Sequence, residues 1–316
     1  MPPAGCSCAV LLALAVLALA VLAHAAPVGA QGAAPRLAAL APAPAPADDA
    51  RLAVAIGPAG EVYEPDGKGA WVRRQRIGTA STISGAARAG GAVVAVGDGI
   101  VYRLAPNGWS AVRLAQKDKA KLALGWSAVA VVGRQLLALD RLAGGEPAKL
   151  GAAPGDILLV GSGKSIVIAT DRGLFRIEGA RQTPLPLRRA RMLVGDQWAI
   201  VDGGAADLRT GKTVTWPAGA SIEVAAMGPD ERLIAVARVA GKRELLAVRA
   251  GKLERAPIEA AGAEAAVGVA VDRVGRAVVA FGDGRIAVRD GAAWVAVTAG
   301  EQLPAPRPGA PPAASR

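Results

Sequence analysis

The chain has 316 residues, of which 52% are hydrophobic and only 3% aromatic, so a large core is available and must be built from Ala, Val, Leu and Ile. The formal charge of +11, from 37 Lys and Arg against 26 Asp and Glu, favours encounters with anionic partners. The single His and both Cys residues (His24, Cys6 and Cys8) lie in the first 25 residues. Removal of that segment would exclude a Ser-His-Asp triad, a cysteine nucleophile, a Cys/His zinc site and a disulfide.

The first residues predict an export signal. Residues 9–23, AVLLALAVLALAVLA, form an uncharged apolar segment of signal-peptide length, and Ala23-His24-Ala25 supplies an A-x-A cleavage pattern. No Lys or Arg precedes the segment. We expect residues 1–25 to be a signal peptide cleaved near Ala25, in preference to an uncleaved anchor. The protein would then be secreted or periplasmic, with no membrane span after signal removal.

Low-complexity segments flank a uniform central region. Residues 26–50 end in APAPAPADD and predict an Ala/Pro-rich linker, while residues 303–316, LPAPRPGAPPAASR, predict a disordered Pro-rich tail. Between them, residues 51–302 show no internal boundary, which indicates one domain.

A glycine-containing turn between two strands recurs through that domain at a mean spacing of about 37 residues. The turn glycines are Gly60, Gly99, Gly133, Gly173, Gly204, Gly241 and Gly284. Four copies keep a tryptophan 10 to 12 residues further on, at Trp71, Trp109, Trp216 and Trp294. A constant period of this length is typical of a repeat fold whose units stack on one another.

The last two repeats each contain four strand patterns. IEVAAMG, LIAVARV, RELLAVR and LERAPI form one set, and VGVAV, AVVAFG, RIAVR and WVAVT form the other. Four short strands per period predict an all-β chain folded as a β-propeller of about seven four-stranded blades, with six possible. The first copy lacks an obvious inner strand, so either residues 36–41 supply it or the ring has six blades and a leftover hairpin. Two stacked β-sandwich domains are the alternative fold.

Single segments resemble repeats of known propeller families. GPDERLIAVAR, from Gly228 to Arg238, resembles the S-P-D-G-K-x-[IL]-A-[VF] core of WD-like periplasmic repeats. AADLRTGKTVTW, which ends at Trp216, is similar to the A-x-D-x-x-T-G-K-x-x-W repeat of quinoprotein-like propellers, although Trp216 follows Asp207 by nine positions instead of eight. The D-G-[IV]-x-x-R…W copies resemble bacterial sensor-type propellers. Together these resemblances imply the propeller superfamily and no particular member.

Two further patterns suggest ligand sites and are better explained as turns. GSGKS at residues 161–165 lacks the first glycine of a phosphate loop and precedes a strand pattern, IVIAT, so it predicts a hairpin turn. Asp98, Asp171 and Asp283 recur beside turn glycines, where an Asp commonly hydrogen-bonds its own backbone. We therefore expect no metal and no cofactor.

Basic clusters predict a partner-binding face. They follow the outer strand patterns of three copies, and the outer-to-inner connections of a propeller all emerge on one face. The predicted partner-binding residues are Arg73, Arg74, Arg76, Lys117, Lys119, Lys121, Arg188, Arg189 and Arg191.

These features favour a non-catalytic extracytoplasmic binding or scaffold propeller, expected to be a monomer. Its partner would be a protein or an acidic envelope polymer docked on the basic face, and nucleic acid is disfavoured because aromatic stacking partners are scarce. The alternatives are a carboxylate-based propeller enzyme, such as a lyase or glycosidase, and a quinoprotein-like protein.

Overall fold

The repeats fold into antiparallel β-strands, and no helix occurs in the part of the chain that the structure describes. The computed structural model describes residues 36–41, 54–58, 60–65, 71–76, 83, 85–89, 92–97, 100–105, 108–113, 121–122, 124–125, 129–143, 146–228, 231–271 and 275–299. Within these residues, no helix is long and apolar enough to cross a membrane. The predicted signal peptide and the predicted C-terminal tail lie outside these residues.

The described strands form seven sheets, which we call blades 1 to 7 in chain order. Blade 1 contains β1 (Ala39–Ala41), β2 (Val54–Ile56), β3 (Glu61–Pro65) and β4 (Trp71–Arg76). Blade 2 contains β5 (Gly85–Ala89), β6 (Ala92–Gly97), β7 (Ile100–Ala105) and β8 (Gly108–Arg113). Blade 3 contains β9 (Lys121–Leu122), β11 (Val129–Val132), β12 (Gln135–Ala143) and β13 (Glu146–Ala152).

Blade 4 has four antiparallel strands, extended at the inner edge by the short strand β10. Its strands are β10 (Leu124–Gly125), β14 (Ile157–Ser162), β15 (Ile166–Thr170), β16 (Gly173–Glu178) and β17 (Arg181–Pro184). Blade 5 contains β18 (Met192–Val194), β19 (Trp198–Val201), β20 (Gly204–Asp207) and β21 (Thr213–Thr215). Blade 6 contains β22 (Ser221–Met227), β23 (Leu233–Val239), β24 (Lys242–Arg249) and β25 (Lys252–Pro257). Blade 7 contains β26 (Ala266–Val271), β27 (Ala277–Phe281), β28 (Arg285–Asp290) and β29 (Ala293–Thr298).

The turn glycines mark the hairpins between second and third strands, as the repeat predicts. Gly60, Gly133, Gly241 and Gly284 have φ angles of 83°, 59°, 81° and 88°, a region that a residue with a Cβ rarely adopts. Gly99 lies outside the described residues.

The core lies between neighbouring blades. In β23, Leu233 and Ala235 pack toward blade 5, while Ile234 and Val236 pack toward blade 7. Because both of its faces are buried, this strand is a continuous apolar run from Leu233 to Ala237 instead of an alternating one. As predicted, Ala, Val, Leu and Ile make up most of the described core, which also contains aromatic residues such as Phe281, Trp71 and Trp198.

The inner strands close a ring. Each inner strand contacts the inner strand of the next blade, and the last contacts the first. In order, the inner strands are β1, β5, β9, β14, β18, β22 and β26. Strand β1 pairs with β2, Leu40 opposite Ala55, so residues 36–41 supply the inner strand of blade 1. This finding confirms the predicted alternative in which residues 36–41 supply the inner strand. It corrects the predicted linker at residues 26–50 for these residues alone, because Leu37 and Leu40 are buried between blades 1 and 7.

Strand β10 lies inside the ring of inner strands. Leu124 pairs in parallel with Gly161 of β14, and the backbone of β10 also contacts β5, β18 and β22. β10 therefore belongs to the sheet of blade 4, although β9 and β11, which flank it in sequence, belong to blade 3.

Candidate binding face

The antiparallel order places all outer-to-inner connections at one end of the blades. This end, the link face, includes the connections at residues 153–156, 185–191, 216–220 and 258–265. The opposite end, the hairpin face, includes the turns between third and fourth strands at residues 179–180, 208–212 and 250–251.

The connection at residues 185–191 partly buries its leucines and exposes its arginines. Leu185 and Leu187 pack against the cluster between blades 4 and 5, while Arg188 and Arg189 are exposed. The alternation of apolar and basic residues in LPLRRAR produces this arrangement. Two of the predicted binding residues thus project from the link face into solvent.

Both ends of this connection are tied to the neighbouring strands. The Leu185 N–H donates to the Leu174 carbonyl oxygen at 2.9 Å, and the Arg191 N–H donates to the Ile200 carbonyl oxygen at 2.7 Å. The Arg191 guanidinium also pairs with the Asp202 carboxylate, and both side chains are largely exposed. The backbone that carries Arg188 and Arg189 is therefore held in place at both ends.

The first predicted cluster belongs to a strand and not to a connection. Arg73, Arg74 and Arg76 lie within β4, which extends to residue 76 because Glu61 of β3 still pairs with Arg76. Arg73 is exposed and pairs in register with Tyr63. The prediction that these arginines follow the outer strand is therefore wrong.

The second predicted cluster is described only at Lys121. Its backbone begins β9 and pairs with Val131, so this residue belongs to the inner strand of blade 3 instead of the preceding connection. Lys117 and Lys119 lie outside the described residues. Of the three predicted clusters, the structure thus places one, Arg188 to Arg191, on an outer-to-inner connection.

A buried ion cluster that the sequence analysis missed lies at the link-face end of blade 6. Glu223 is the extra residue of a β-bulge between Ile222 and Val224. Its carboxylate accepts hydrogen bonds from Arg243 at 2.9 Å and from Arg238 at 3.1 Å. The Arg243 side chain is only 7% exposed and that of Glu223 12%, so this pair is largely removed from water.

The same cluster joins blade 6 to blade 7. The Ala266 N–H donates to Glu223 at 2.8 Å, and Arg243 donates to the Gly262 carbonyl oxygen at 2.5 Å. The Arg243 guanidinium also lies 5.4 Å from the centre of the Phe281 ring, a cation–π distance. Blade 6 thus supplies the charges, and the next connection and blade 7 supply the groups that satisfy them.

The Glu223 carboxyl is held ionised. Burial alone would raise its pKa, but the hydrogen bond from the Ala266 N–H and those from the two arginines outweigh burial and lower the pKa. A carboxyl in this state accepts hydrogen bonds and cannot serve as a proton donor at neutral pH.

A second carboxylate, that of Glu231, forms ion pairs with two basic side chains on the hairpin face. Arg209 of blade 5 donates to it at 2.7 Å and Lys164 of blade 4 at 3.2 Å. The hydrogen bond from Arg209, followed by that from Lys164, lowers the pKa of Glu231. The Trp198 indole donates to the Glu231 carbonyl oxygen at 3.0 Å, so this turn of blade 6 contacts both blade 4 and blade 5.

The GSGKS segment is a hairpin turn, as predicted. Residues 163–165 turn between β14 and β15. The Ser165 N–H and hydroxyl both donate to Asp196 of blade 5, at 2.9 and 3.0 Å. A Cβ on Gly163 would collide with the Asp196 carboxylate. The glycine and serine of this motif therefore serve packing between blades.

One of the turn aspartates, Asp283, binds backbone N–H groups. Asp283 accepts hydrogen bonds from the N–H groups of Arg285 at 3.2 Å and Ala263 at 2.6 Å, which confirms its predicted turn role. Asp171 lies in a turn against Gly155, and Asp98 is outside the described residues. No group of three His, Cys, Asp or Glu side chains in the described ranges could hold a metal ion.

Comparisons with solved structures agree with this architecture. The WD40 β-propeller domain of Doa1 is 11% identical, with a TM-score of 0.53 over 83% of this chain and 94% of that one. YCF48 from Cyanidioschyzon merolae is 16% identical, with a TM-score of 0.53 over 84% and 95%. The extracellular domain of the putative hybrid two component system BT4673 from B. thetaiotaomicron is 12% identical, with a TM-score of 0.52 over 86% of this chain and 44% of that one.

Neither the protein-family models nor the curated proteins contain a match to this sequence. The blades, the closed ring of inner strands and the solved structures together show that the chain has a β-propeller fold. The similarity extends to the fold and identifies no particular member.

Proposed function

We propose that the chain is a non-catalytic, extracytoplasmic binding or scaffold propeller. It docks an anionic surface of a protein or of an acidic envelope polymer on the link face. Export is supported by the apolar segment at residues 9–23 and its A-x-A pattern. The remaining predicted basic residues, Arg73, Arg74, Arg76, Lys117, Lys119 and Lys121, would extend or flank the same surface.

The observation that carries the proposal is the pair Arg188 and Arg189. Both are exposed on a connection whose leucines are packed and whose ends are hydrogen-bonded to strands. A fixed backbone reduces the entropy lost when these side chains meet a partner. Arginine also binds carboxylate and phosphate groups through paired N–H donors.

The rival function, carboxylate-based catalysis, finds less support. An acid catalyst at neutral pH needs a raised pKa, whereas the pKa values of Glu223 and Glu231 are lowered. Asp196, Asp207 and Asp283 accept hydrogen bonds within turns or between blades. The carboxylates named here stabilise the fold.

The test compares binding of the purified chain to immobilised polygalacturonate, an acidic polymer, over a series of salt concentrations. The double variant R188E/R189E should weaken binding about tenfold and flatten its salt dependence. The matched control is R249E/K252E, which makes the same charge change at exposed residues of the hairpin face.

Equal weakening by both double variants would show that only total charge matters and would contradict a docking site on the link face. Unchanged binding by R188E/R189E would contradict it as well. Detection of polymer cleavage or lyase products by the wild-type chain would favour the enzymatic alternative.

A further inference from the structure

The outer strands of the blades differ in how they protect their unpaired edges. An exposed edge invites pairing with another strand, and proteins block it with charge, proline, bulges or short strands. Charge is present in β4 (WVRRQR), β8 (GWSAVR), β13 (EPAKLGA), β17 (RQTP) and β25 (KLERAP), and three of these also contain proline. Strand β21 (TVT) has only three residues.

Strand β29 has none of these protections. Its six residues, AWVAVT, include no charge, no proline and no glycine. It is the last strand of blade 7, so its outer edge is unpaired within the described part of the chain. Valine, threonine and tryptophan are also favourable strand formers.

The register of β29 shows which backbone groups face outward. The Ala299 N–H donates to the Gly284 carbonyl oxygen, and the same register continues through Val297 opposite Ile286. In an antiparallel pair the hydrogen-bonded residues alternate. Residues 293, 295, 297 and 299 therefore bond to β28, whereas 294, 296 and 298 direct their N–H and C=O groups outward.

The outward set is symmetric about Ala296. We propose that β29 pairs with β29 of a second copy of this chain, forming a two-fold symmetric dimer with one continuous sheet across two blades. Ala296 then lies opposite its own copy, and Trp294 lies opposite Thr298 of the second copy. Three hydrogen-bonded pairs would supply about six main-chain hydrogen bonds.

Charge favours a second copy at this edge over the other edges. The chain carries a net charge of +11, which opposes self-association, and pairing two copies of WVRRQR would set arginines against each other. Two copies of AWVAVT meet without like charges. Ala296 is exposed and small, so two backbones can approach closely there.

The C-terminal segment of the chain is a poor occupant of the same edge. Residues 303–316 contain five prolines, each of which lacks the N–H that strand pairing requires. The expectation of a monomer came from sequence features that do not describe strand edges. The outer edges of the blades can be compared only once the strands have been assigned to blades.

The experiment is sedimentation velocity of the full chain over a concentration series. The wild-type chain should sediment as a dimer at high concentration. The variant A296K, which sets two lysines opposite each other, should raise the dissociation constant at least about tenfold. The matched control A293K adds the same charge at an exposed position that does not face its own copy, and it should dimerise like the wild type.

Thermal unfolding of each variant shows whether the blade is intact. If A296K fails to fold, A296P replaces it, because the N–H it removes points away from β28. A wild-type chain that remains monomeric overturns the proposal. A dimer that A296K or A296P leaves unchanged overturns it too, and so does a dimer that A293K disrupts equally.

Discussion

Residues 185–191 connect blade 4 to blade 5, and residues 258–265 connect blade 6 to blade 7, both on the link face. The first connection carries three arginines and no acid, and Arg188 and Arg189 are exposed. The second carries Glu259 and Glu264 and no base. The two connections have the same place in the repeat and opposite charge.

The difference follows from what lies beside each connection. The second connection receives cations from both sides, since Glu264 pairs with Arg36 at 2.6 Å and the Gly262 carbonyl oxygen accepts a hydrogen bond from Arg243. In the first connection, Arg191 has the exposed counterion Asp202. Glu264 of the second connection thus has a cation from the segment before β1 as its partner, whereas Arg188 and Arg189 of the first connection are exposed to solvent.

The largest effect should come from breaking the ion cluster beside the second connection. E223Q keeps the shape of the side chain but leaves Arg243 buried without a counterion, and it should lower the free energy of unfolding by about 3 kcal/mol. Urea denaturation measures this change. E259Q, at an exposed position of residues 258–265, is the matched control and should change stability by less than about 0.5 kcal/mol. Similar losses in both variants would contradict the structural role of Glu223.

Acid should act on the same cluster. An unfolded glutamate has a pKa of about 4.3. The pKa of Glu223 in the folded chain is lower than this value. The folded state therefore binds fewer protons, and the contribution of Glu223 is complete above that pH and lost as the pH falls toward its folded pKa. The stability difference between the wild type and E223Q should shrink below about pH 4. A difference that is constant from neutral to strongly acidic pH would contradict this cause.

A smaller, opposite effect is expected at two turns of blade 6. Ala240 and Ala250 have φ angles of 47° and 50° and precede Gly241 and Gly251, which also have positive φ. Two-residue turns of this kind favour Asn-Gly. A240N and A250N should each raise the free energy of unfolding by about 0.5–1 kcal/mol, measured by urea denaturation. The variant G241A should lower the free energy of unfolding, because it places a Cβ at a positive φ angle. A higher free energy of unfolding for G241A would contradict backbone strain as the cause.

The smallest change in stability should follow loss of charge on the first connection. R188Q/R189Q removes two exposed cations without touching Leu185 or Leu187, so the unfolding free energy should shift by less than about 0.5 kcal/mol. Thermal unfolding and urea denaturation both report it. A loss as large as that of E223Q would mean that these arginines support the fold, and the contrast between the two connections would fail.

The pattern of short strands and turn glycines was sufficient to predict the strands of blades 6 and 7. LIAVARV coincides with β23 (Leu233–Val239), because a short, Val- and Ile-containing run between two turn patterns is typical of a strand buried on both faces. The basic character of residues 185–191 could also be read from the sequence. Placing Arg73 and Lys121 failed, since strand ends depend on pairing with neighbours and not on local composition.

The sequence pattern partly indicates the ion cluster around Glu223. The hairpin of β23 and β24 sets Arg238 opposite Arg243, and two like charges in register imply a nearby carboxylate. The sequence does not show that a β-bulge places Glu223 beside these arginines. It also does not show that the Ala266 N–H of blade 7 donates a further hydrogen bond to its carboxylate. These contacts join residues from different blades.

The sequence by itself determined the repeat, the all-β class and the charge of each segment, because period and polarity are local properties of the chain. Tertiary structure alone decided that residues 36–41 complete blade 1 and that β10 lies inside the ring of inner strands. It also decided which charges are buried in pairs and which face solvent. Those outcomes depend on which segments meet when the ring closes, and distance along the chain does not encode them.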